Sequence, residues 1–291
     1  MVIEMKYIDY SNYKLSNIQY GGSEKKIGIL INNEPYMLKF QKKTPFGMRY
    51  NTISEYLGSH IYQMLGILCQ DTELGKYKNE NVVACKDFIP SDSFFVPFND
   101  VGESTIDVDK DKYQYDYEDI ISLLNANKKL TNVEETISFF FDIYVVDALI
   151  GNFDRHGSNW GFIKKDNKYS IAPVFDNGSC LYPNMIDEDD MKFILSSEEQ
   201  IDLRVYQFPT SQIKLNGVKS SYYEVISSLQ FDEINNALRR IYPMINLDKI
   251  NKLIDDIDII TNIHKDFYKI MIKSRYEKII KYSYLKLVGD L

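Results

Sequence analysis

The chain has 291 residues, of which 44% are hydrophobic, and carries a formal net charge of −8. A chain of this length and composition can bury a substantial core, and it predicts about two domains or one large two-lobed unit. It has no run of about 18 apolar residues, so we expect no membrane span. The acidic balance argues against broad nucleic-acid binding, which needs a basic face, although a local basic pocket stays compatible with it.

The cysteines and the N-terminus indicate a compartment. Cys69, Cys85 and Cys180 are far apart and odd in number, so they match neither a disulfide framework nor a zinc site. The first ten residues carry an early acidic residue and lack the apolar segment of a secretory signal. We therefore expect a protein of the reducing cytoplasm, with secretion as an effector left open.

The first ninety residues predict strands and one helix. Apolar residues recur at helical spacing in "YNTISEYLGSHIYQMLGI", and Gly66 marks the end of this helix. Strands are predicted at residues 14–19, 27–31, 36–40, 69–77 and 81–88, the first of them weakly. The turns between them are short and polar, which is typical of hairpins.

The rest of the chain is predicted to be mainly helical. Residues 90–132 are rich in loop signals, and a wide apolar helical face then runs from Ile137 to Leu149. A hairpin follows at residues 160–175, and helices are predicted at 220–229, 232–241, 247–260 and 262–285. The order predicts an α+β fold with a β-rich N-lobe (1–88), a hinge near 86–90 and a helical C-lobe (89–291). A cleft between two such lobes is a common ligand site.

The stretch "IGNFDRHGSNWGFI" places many polar residues between two core-forming segments. Asp154 and Asn159 stand five apart in it, and Asp176 follows the next hairpin in "VFDNG". In phosphoryl transfer one carboxylate orients the attacking hydroxyl, while an amide oxygen and a second carboxylate hold magnesium. Each Asp alone is also compatible with an ordinary turn. The three together favour the catalytic interpretation.

Lys39 lies in a predicted strand of the N-lobe, and Glu55 lies in the helix that follows. A strand lysine can reach nucleotide phosphates when a helix carboxylate holds it. Two alternatives stay open. Glu55 closes the sequence Thr52-Ile53-Ser54-Glu55, which also matches a capping box, and Lys39 is compatible with an exposed strand position.

Two further segments are candidates for nucleotide contacts. The turn "YGGSEKK" stands where a phosphate-covering loop is needed, and the segment at the end of the N-lobe stands where a backbone strip would meet the nucleobase. The residues concerned are Gly21, Gly22 and Ser23 in the turn, and Lys86, Asp87 and Phe88 in the strip. A plain hairpin turn and a plain interlobe linker are the respective alternatives.

Arg155 and His156 flank the predicted base and are assigned to loop support. His156 either orients the loop by hydrogen bonding or is a buried structural histidine.

The stretch "IGNFDRHGSNWGF", followed by "IAPVFDNGS", resembles the kinase domain of HipA-like proteins, bacterial serine/threonine kinases of the toxin type. The resemblance covers roughly residues 20–241. It implies a protein-kinase-like fold, the cofactors ATP and Mg²⁺, and a protein substrate. It also implies Asp154 as catalytic base, Asn159 and Asp176 as magnesium ligands, and Lys39 as a phosphate contact. In some members a serine of the phosphate loop is autophosphorylated, and Ser23 is the matching candidate.

The same resemblance implies an antitoxin-type partner. We expect no counterpart of the subdomain that precedes the kinase lobes in this family and helps arrange antitoxin contacts. The expected protein is therefore of the short, stand-alone type, without direct nucleic-acid contact. The order D-R-H-x-x-N also resembles phosphatidylinositol kinases. A lipid or small-molecule kinase on the same fold is therefore one alternative, and a non-catalytic nucleotide-binding pseudokinase is another.

Overall fold

The computed structural model of the chain describes residues 7–21, 25–100, 116–128 and 130–291. The strands are β1 (Ile8–Asp9), β2 (Lys26–Ile31), β3 (Glu34–Phe40), β4 (Lys43–Thr44), β5 (Gly47–Met48), β6 (Thr72–Tyr77), β7 (Glu80–Lys86), β8 (Phe94–Pro97), β9 (Gly161–Lys165), β10 (Lys168–Ile171), β11 (Thr210–Leu215) and β12 (Val218–Ser221). The α-helices are α1 (Asn51–Met64), α2 (Tyr117–Ala126), α3 (Val133–Ile150), α4 (Glu188–Leu195), α5 (Glu198–Asp202), α6 (Tyr222–Ser228), α7 (Asp232–Ile241), α8 (Leu247–Asp255), α9 (Asn262–Arg275) and α10 (Tyr282–Val288). π-Helical turns extend α5 and join α9 to α10.

The main sheet has the strand order β1-β6-β7-β3-β2, and α1 packs on β6 and β7. β1 pairs with β6 in parallel, and the other pairs are antiparallel. A second sheet, β10-β9-β8, lies beyond the predicted hinge, where the chain is mainly helical. The predicted α+β architecture, with a β-rich N-lobe and a helical C-terminal region, is confirmed, while the division at residue 88 stays a prediction.

Four hairpins are closed by two-residue turns in which both residues have positive φ. This conformation matches the twist of paired strands, and asparagine, aspartate and glycine adopt it at low cost. The turn residues are Asn32-Asn33, Lys78-Asn79, Asp166-Asn167 and Asn216-Gly217. The hairpins predicted from short polar turns form for this local reason.

Helix α3 is the centre of the main hydrophobic core. Phe141, Val145 and Leu149 on it are fully buried, and it packs against α2, α6, α7 and α9. A helix that is apolar on nearly every side needs such an all-round cover. A smaller core around Tyr10, Leu38 and Val82 covers the other face of the main sheet. In the described part of the chain, no helix combines the length and the apolarity that crossing a membrane requires.

Several boundaries differ from the prediction. Residues 14–19 form no strand, because Leu15 alone bridges to Ile29. Between residues 90 and 132, the described ranges contain β8 and α2 in addition to loop, and α4, α5 and the β11–β12 hairpin were not predicted. β6 starts at Thr72, because Cys69 instead bridges to Val174 across the lobes. α8 ends at Asp255, five residues before the predicted end.

Gly58 on α1 allows the helix to approach the segment that carries the candidate site. An added Cβ would lie 2.7 Å from Asn177 Cβ and 3.0 Å from Cys180 Sγ. We expect Gly58→Ala to lower the free energy of unfolding by about 2 kcal/mol, because overpacking outweighs the gain in helix propensity of about 1 kcal/mol. Urea unfolding measures this change. The control Met64→Ala, at the exposed end of the same helix, should change it by less than about 0.5 kcal/mol. A stabilised Gly58→Ala would contradict the close contact.

Candidate active site

The loop after α3 is fixed from its first residue. Gly151 ends α3 in the left-handed conformation, with φ 63°. The side-chain Nδ2 of Asn152 donates to Asp147 Oδ1 at 2.9 Å. The side-chain Oδ1 of Asn152 accepts a hydrogen bond from the backbone N–H of Asp154 at 3.1 Å. The hydroxyl of Tyr222 donates to the backbone oxygen of Asn152 at 2.8 Å. The backbone that carries Asp154 is therefore attached to both α3 and α6.

Arg155 is the main support of this loop. Its guanidinium donates to both carboxylate oxygens of Asp147, at 2.9 and 3.2 Å. It also donates to the backbone oxygens of Asn159 and Phe175, at 3.0 and 2.6 Å, and to Asn177 Oδ1 at 2.5 Å. Arg155 thus joins the catalytic-loop candidates to the segment of Asp176. This arrangement is compatible with its predicted role in loop support.

The carboxyl of Asp154 is about half exposed. Its Oδ1 lies 3.8 Å from His156 Nε2, and Oδ2 accepts the hydroxyl of Ser179 at 3.5 Å. Burial raises the pKa of the Asp154 carboxyl above its usual value; His156 counteracts this shift, and the charge of Asp176 adds to it. His156 lies in the loop with its Nδ1 accepting from Ser158 N at 3.2 Å, so its ring is positioned by the loop itself.

Asn159 and Asp176, the candidate metal ligands, are both close in the chain to backbone oxygens that Arg155 binds. Asn159 Nδ2 donates to the backbone oxygen of Asp154 at 2.8 Å. The side-chain oxygen of Asn159 is not used in that bond. Asp176 has a positive φ of 58° and a partly exposed carboxylate. Although burial favours the neutral acid, the charge of Lys39 lowers the pKa of the Asp176 carboxyl. Asp176 therefore remains an anion, paired with Lys39.

Lys39 stands between two carboxylates. Its Nζ donates to Glu55 Oε2 at 2.7 Å and to Asp176 Oδ1 at 2.9 Å. Burial favours the neutral amine, but Asp176 and Glu55 raise the pKa of Lys39 well above its usual value. A strand of the N-lobe is thus connected by charge to α1 and to the segment after β10.

Glu55 is not part of a capping box. Helix α1 begins at Asn51, so Thr52 is inside the helix and no side chain caps its start. The carboxylate of Glu55 is 1% exposed and accepts from Lys39 and from the backbone N–H of Asn177, the latter at 3.0 Å. The capping-box alternative is wrong because the helix begins earlier than that pattern requires, which leaves the Glu55 side chain free to turn inward.

The predicted nucleobase strip is partly used within the protein. Lys86 Nζ pairs with Glu34 at 2.8 Å, and the backbone N–H of Lys86 donates to Asp71 O. The backbone N–H of Asp87 donates to Pro35 O at 2.9 Å. The ring of Phe88 packs on Phe95 and Phe175, with centroid distances of 6.2 and 5.4 Å. Phe88 is therefore the member of the strip that contributes an apolar surface, as part of a cluster with Phe95 and Phe175.

In the predicted phosphate loop, Gly21 is described, whereas Gly22 and Ser23 lie outside the described residues. The backbone oxygen of Gly21 accepts from Lys26 Nζ at 2.6 Å. The described ranges contain no group of three or more His, Cys, Asp and Glu side chains that could hold a metal. An Asn–Asp pair with few protein oxygens is the kind of site that suits magnesium with substrate phosphates.

Sequence reasoning missed several polar residues of the site. Asp147, Asn177 and Ser179 contact predicted site residues, and Asp147 and Asn177 are themselves buried. The signal for Asp147 was available, since it is a carboxylate at an otherwise apolar position of α3. Nothing in the sequence marked the apolar residue Phe95 as part of the site, because its contact with Phe175 depends on strand β8, which was not predicted.

Comparisons with known proteins agree with this geometry. The family model described as HipA-like C-terminal domain matches residues 18–257. The serine/threonine-protein kinase CtkA of Helicobacter pylori strain J99 is 38% identical over 275 residues, which cover 92% of this chain and 84% of CtkA. The crystal structure of the H. pylori proinflammatory kinase CtkA matches with a TM-score of 0.87 and 34% identity, over 98% of this chain and 99% of that one.

A more distant match shows the fold alone. HipA of Shewanella oneidensis MR-1, solved with HipB and operator DNA, matches with a TM-score of 0.55 and 15% identity, over 94% of this chain and 67% of that one. The nearer relative favours a serine/threonine kinase, a phosphotransferase, over the lipid-kinase and pseudokinase alternatives. The predicted kinase-like fold and kinase activity are confirmed, and the chain belongs to the HipA-like C-terminal domain family as a serine/threonine kinase.

Proposed function

We propose that the chain transfers the γ-phosphoryl group of ATP, with Mg²⁺, to a serine or threonine hydroxyl of a protein, and that Asp154 is the catalytic base. The observation that carries the proposal is the shared contact of Lys39 with Glu55 and Asp176. It combines a strand lysine, a helix carboxylate and a candidate metal ligand, the set that phosphoryl transfer requires. Asp154 is connected to this set through Asn159, which donates to the backbone oxygen of Asp154, and through Arg155, which bonds the backbones of both Asn159 and Phe175.

The residues present fit a magnesium nucleotide. Asp176 offers a partly exposed carboxylate, and Asn159 offers an amide oxygen whose nitrogen is already bonded. Lys39, held by Glu55, would contact phosphate oxygens. Gly21, Gly22 and Ser23 would cover the phosphates, and the strip Lys86, Asp87 and Phe88 would meet the nucleobase. When bound, the magnesium nucleotide supplies the phosphoryl group and the charge compensation for its transfer.

The chain's own residues would handle the acceptor. Asp154 is half exposed, so its carboxylate can accept a hydrogen bond from a substrate hydroxyl and orient that oxygen. Asn152 accepts from the backbone N–H of Asp154, and Tyr222 in turn holds the backbone of Asn152, so little reorganisation is needed at the moment of transfer. His156 would support the loop on the solvent side of Asp154.

The remaining expectations follow from this proposal. Kinase activity implies a protein substrate, and because the net charge is acidic we expect no direct nucleic-acid contact. An antitoxin-type partner, a cytoplasmic location and autophosphorylation at Ser23 stay predictions. HipA of S. oneidensis forms a complex with HipB and operator DNA, and that observation concerns that protein.

We expect Asp154→Asn to lower kcat by about a thousandfold while nucleotide affinity is retained, because the amide orients the hydroxyl poorly and accepts no proton. Incubation with Mg·ATP followed by intact-protein mass spectrometry should show additions of about 80 Da per phosphate in the wild type and none in Asp154→Asn. Peptide mapping would then test Ser23 as the acceptor. The control Asp166→Asn, in the exposed β9–β10 turn, should behave as wild type. Retained turnover in Asp154→Asn would contradict its assignment as base.

We expect Asp176→Asn to weaken Mg·ATP binding about 30-fold, or ~2 kcal/mol, because a neutral amide replaces a charged metal ligand. Lys39 keeps its bond to Glu55, so the fold should persist. Calorimetric titration with ATP, with and without magnesium, measures the difference. The loss should be large with magnesium and small without it. An equal loss in both conditions would place Asp176 outside the metal site.

The Asp147–Arg155 pair should support both stability and catalysis. We expect Asp147→Ala to lower the free energy of unfolding by about 3–5 kcal/mol, because it leaves a buried guanidinium without its carboxylate. Asp142→Ala is the matched control on the same helix. Asp142 pairs with the more exposed Arg240, so its loss should cost less than about 1 kcal/mol. Urea unfolding of both variants measures the two values, and equal values would contradict the role of the buried pair.

A further inference from the structure

Residues 16–21 form a strap that runs from the edge of β2 to the predicted phosphate loop. The backbone N–H of Ser16 donates to Gly28 O at 2.8 Å. A Cβ on Gly28 would lie 3.0 Å from Ile18 O and 3.1 Å from Ser16 Cβ. The glycine in β2 thus permits a close crossing of the strap, and its first half is fixed against the main sheet.

The far end of the strap reaches the nucleobase strip. The hydroxyl of Tyr20 donates to Asp87 Oδ2 at 3.1 Å, although the two residues are 67 positions apart. Asp87 Oδ1 accepts the backbone N–H of Ile89 at 2.9 Å, which orients the carboxylate toward Tyr20. Burial, together with the charge of Asp87, raises the pKa of the Tyr20 phenol, so it remains a donor at neutral pH.

The next residue of the strap has an anchor of its own. The backbone oxygen of Gly21 accepts from Lys26 Nζ at 2.6 Å, and Lys26 stands opposite Lys39 in the register of β2 and β3. The strap is therefore held at three places: β2, Lys26 and Asp87. Of these, the contact with Asp87 connects it to the strip on which a nucleobase would lie.

We propose that the Tyr20–Asp87 hydrogen bond is a latch that holds the strap over bound nucleotide, and that Tyr20 is a positioning residue of the kinase. This inference rests on the proposed function. The strap is continuous with the predicted phosphate loop, and Phe88 and Phe175, with ring centroids 5.4 Å apart, offer an apolar surface beside the strip. A base between the strap and these rings leaves more readily when the strap separates from Asp87.

The latch should affect nucleotide exchange and leave chemistry unchanged. Tyr20 bonds to Asp87, whereas the proposed base and metal ligands are held by Asn152, Arg155 and Lys39. Loss of a hydrogen bond to a charged group typically changes an equilibrium or a rate about tenfold. The expected signature is therefore a change in the KM for ATP and in the nucleotide dissociation rate, with kcat unchanged.

The test is Tyr20→Phe, which removes the hydroxyl and keeps the ring. Stopped-flow release of a fluorescent ATP analogue, with magnesium, should be about tenfold faster than from wild type, and the KM for ATP should rise with kcat unchanged. The control is Tyr13→Phe, an exposed tyrosine on the same N-terminal segment that packs on Tyr10. It should release the analogue at the wild-type rate.

A double-mutant cycle separates the latch from other effects of Asp87. In an Asp87→Ala background, Tyr20→Phe should cause no further acceleration. The latch would be overturned, and the proposed function would stand, if Tyr20→Phe released the ATP analogue at the wild-type rate. The same holds if Tyr20→Phe accelerated release equally in the wild-type and Asp87→Ala backgrounds. A wild-type protein that binds no magnesium nucleotide would overturn the proposed function and the latch with it.

Discussion

The buried ion pair between Asp147 and Arg155 is the interaction on which the site depends. Asp147 is 1% exposed and lies near the end of the central helix, so its charge requires full compensation. Arg155 supplies it, and the remaining guanidinium hydrogens reach the backbone oxygens of Asn159 and Phe175. One buried cation therefore fixes the backbone of one candidate metal ligand, Asn159, and of the residue just before the other, Asp176. A lysine could not do this, since the contacts require the planar, five-donor guanidinium.

A second buried pair connects this frame to the main sheet. Glu55 binds Lys39 through one oxygen and the backbone of Asn177 through the other. Asn177 in turn accepts from Arg155. The charges of the strand lysine, the α1 carboxylate and the loop arginine thus form one continuous network. Because each buried member is satisfied by another, displacement of one element should disturb the whole site.

The sequence predicted which polar residues lie together better than it predicted the boundaries of the fold. Asp154, Asn159, Asp176 and Lys39 were selected by residue type and spacing, and the structure connects them through Arg155 and Glu55, while their catalytic roles stay predictions. The weak strand at residues 14–19 was wrong because its residues make a strap with a single bridge to β2. The capping box was wrong because the helix starts at Asn51, which a local pattern cannot reveal.

By itself the sequence determined the two-part architecture, three of the four hairpin turns and the chemical identity of the candidate site residues. These depend on local periodicity, on turn residues that tolerate positive φ, and on short motifs. Only the tertiary structure decided that Glu55 turns inward, that Asp147 neutralises Arg155, and that Tyr20 reaches Asp87. Those contacts join residues 8 to 122 positions apart, and their partners are selected by burial of charge in a shared core, which no local pattern encodes.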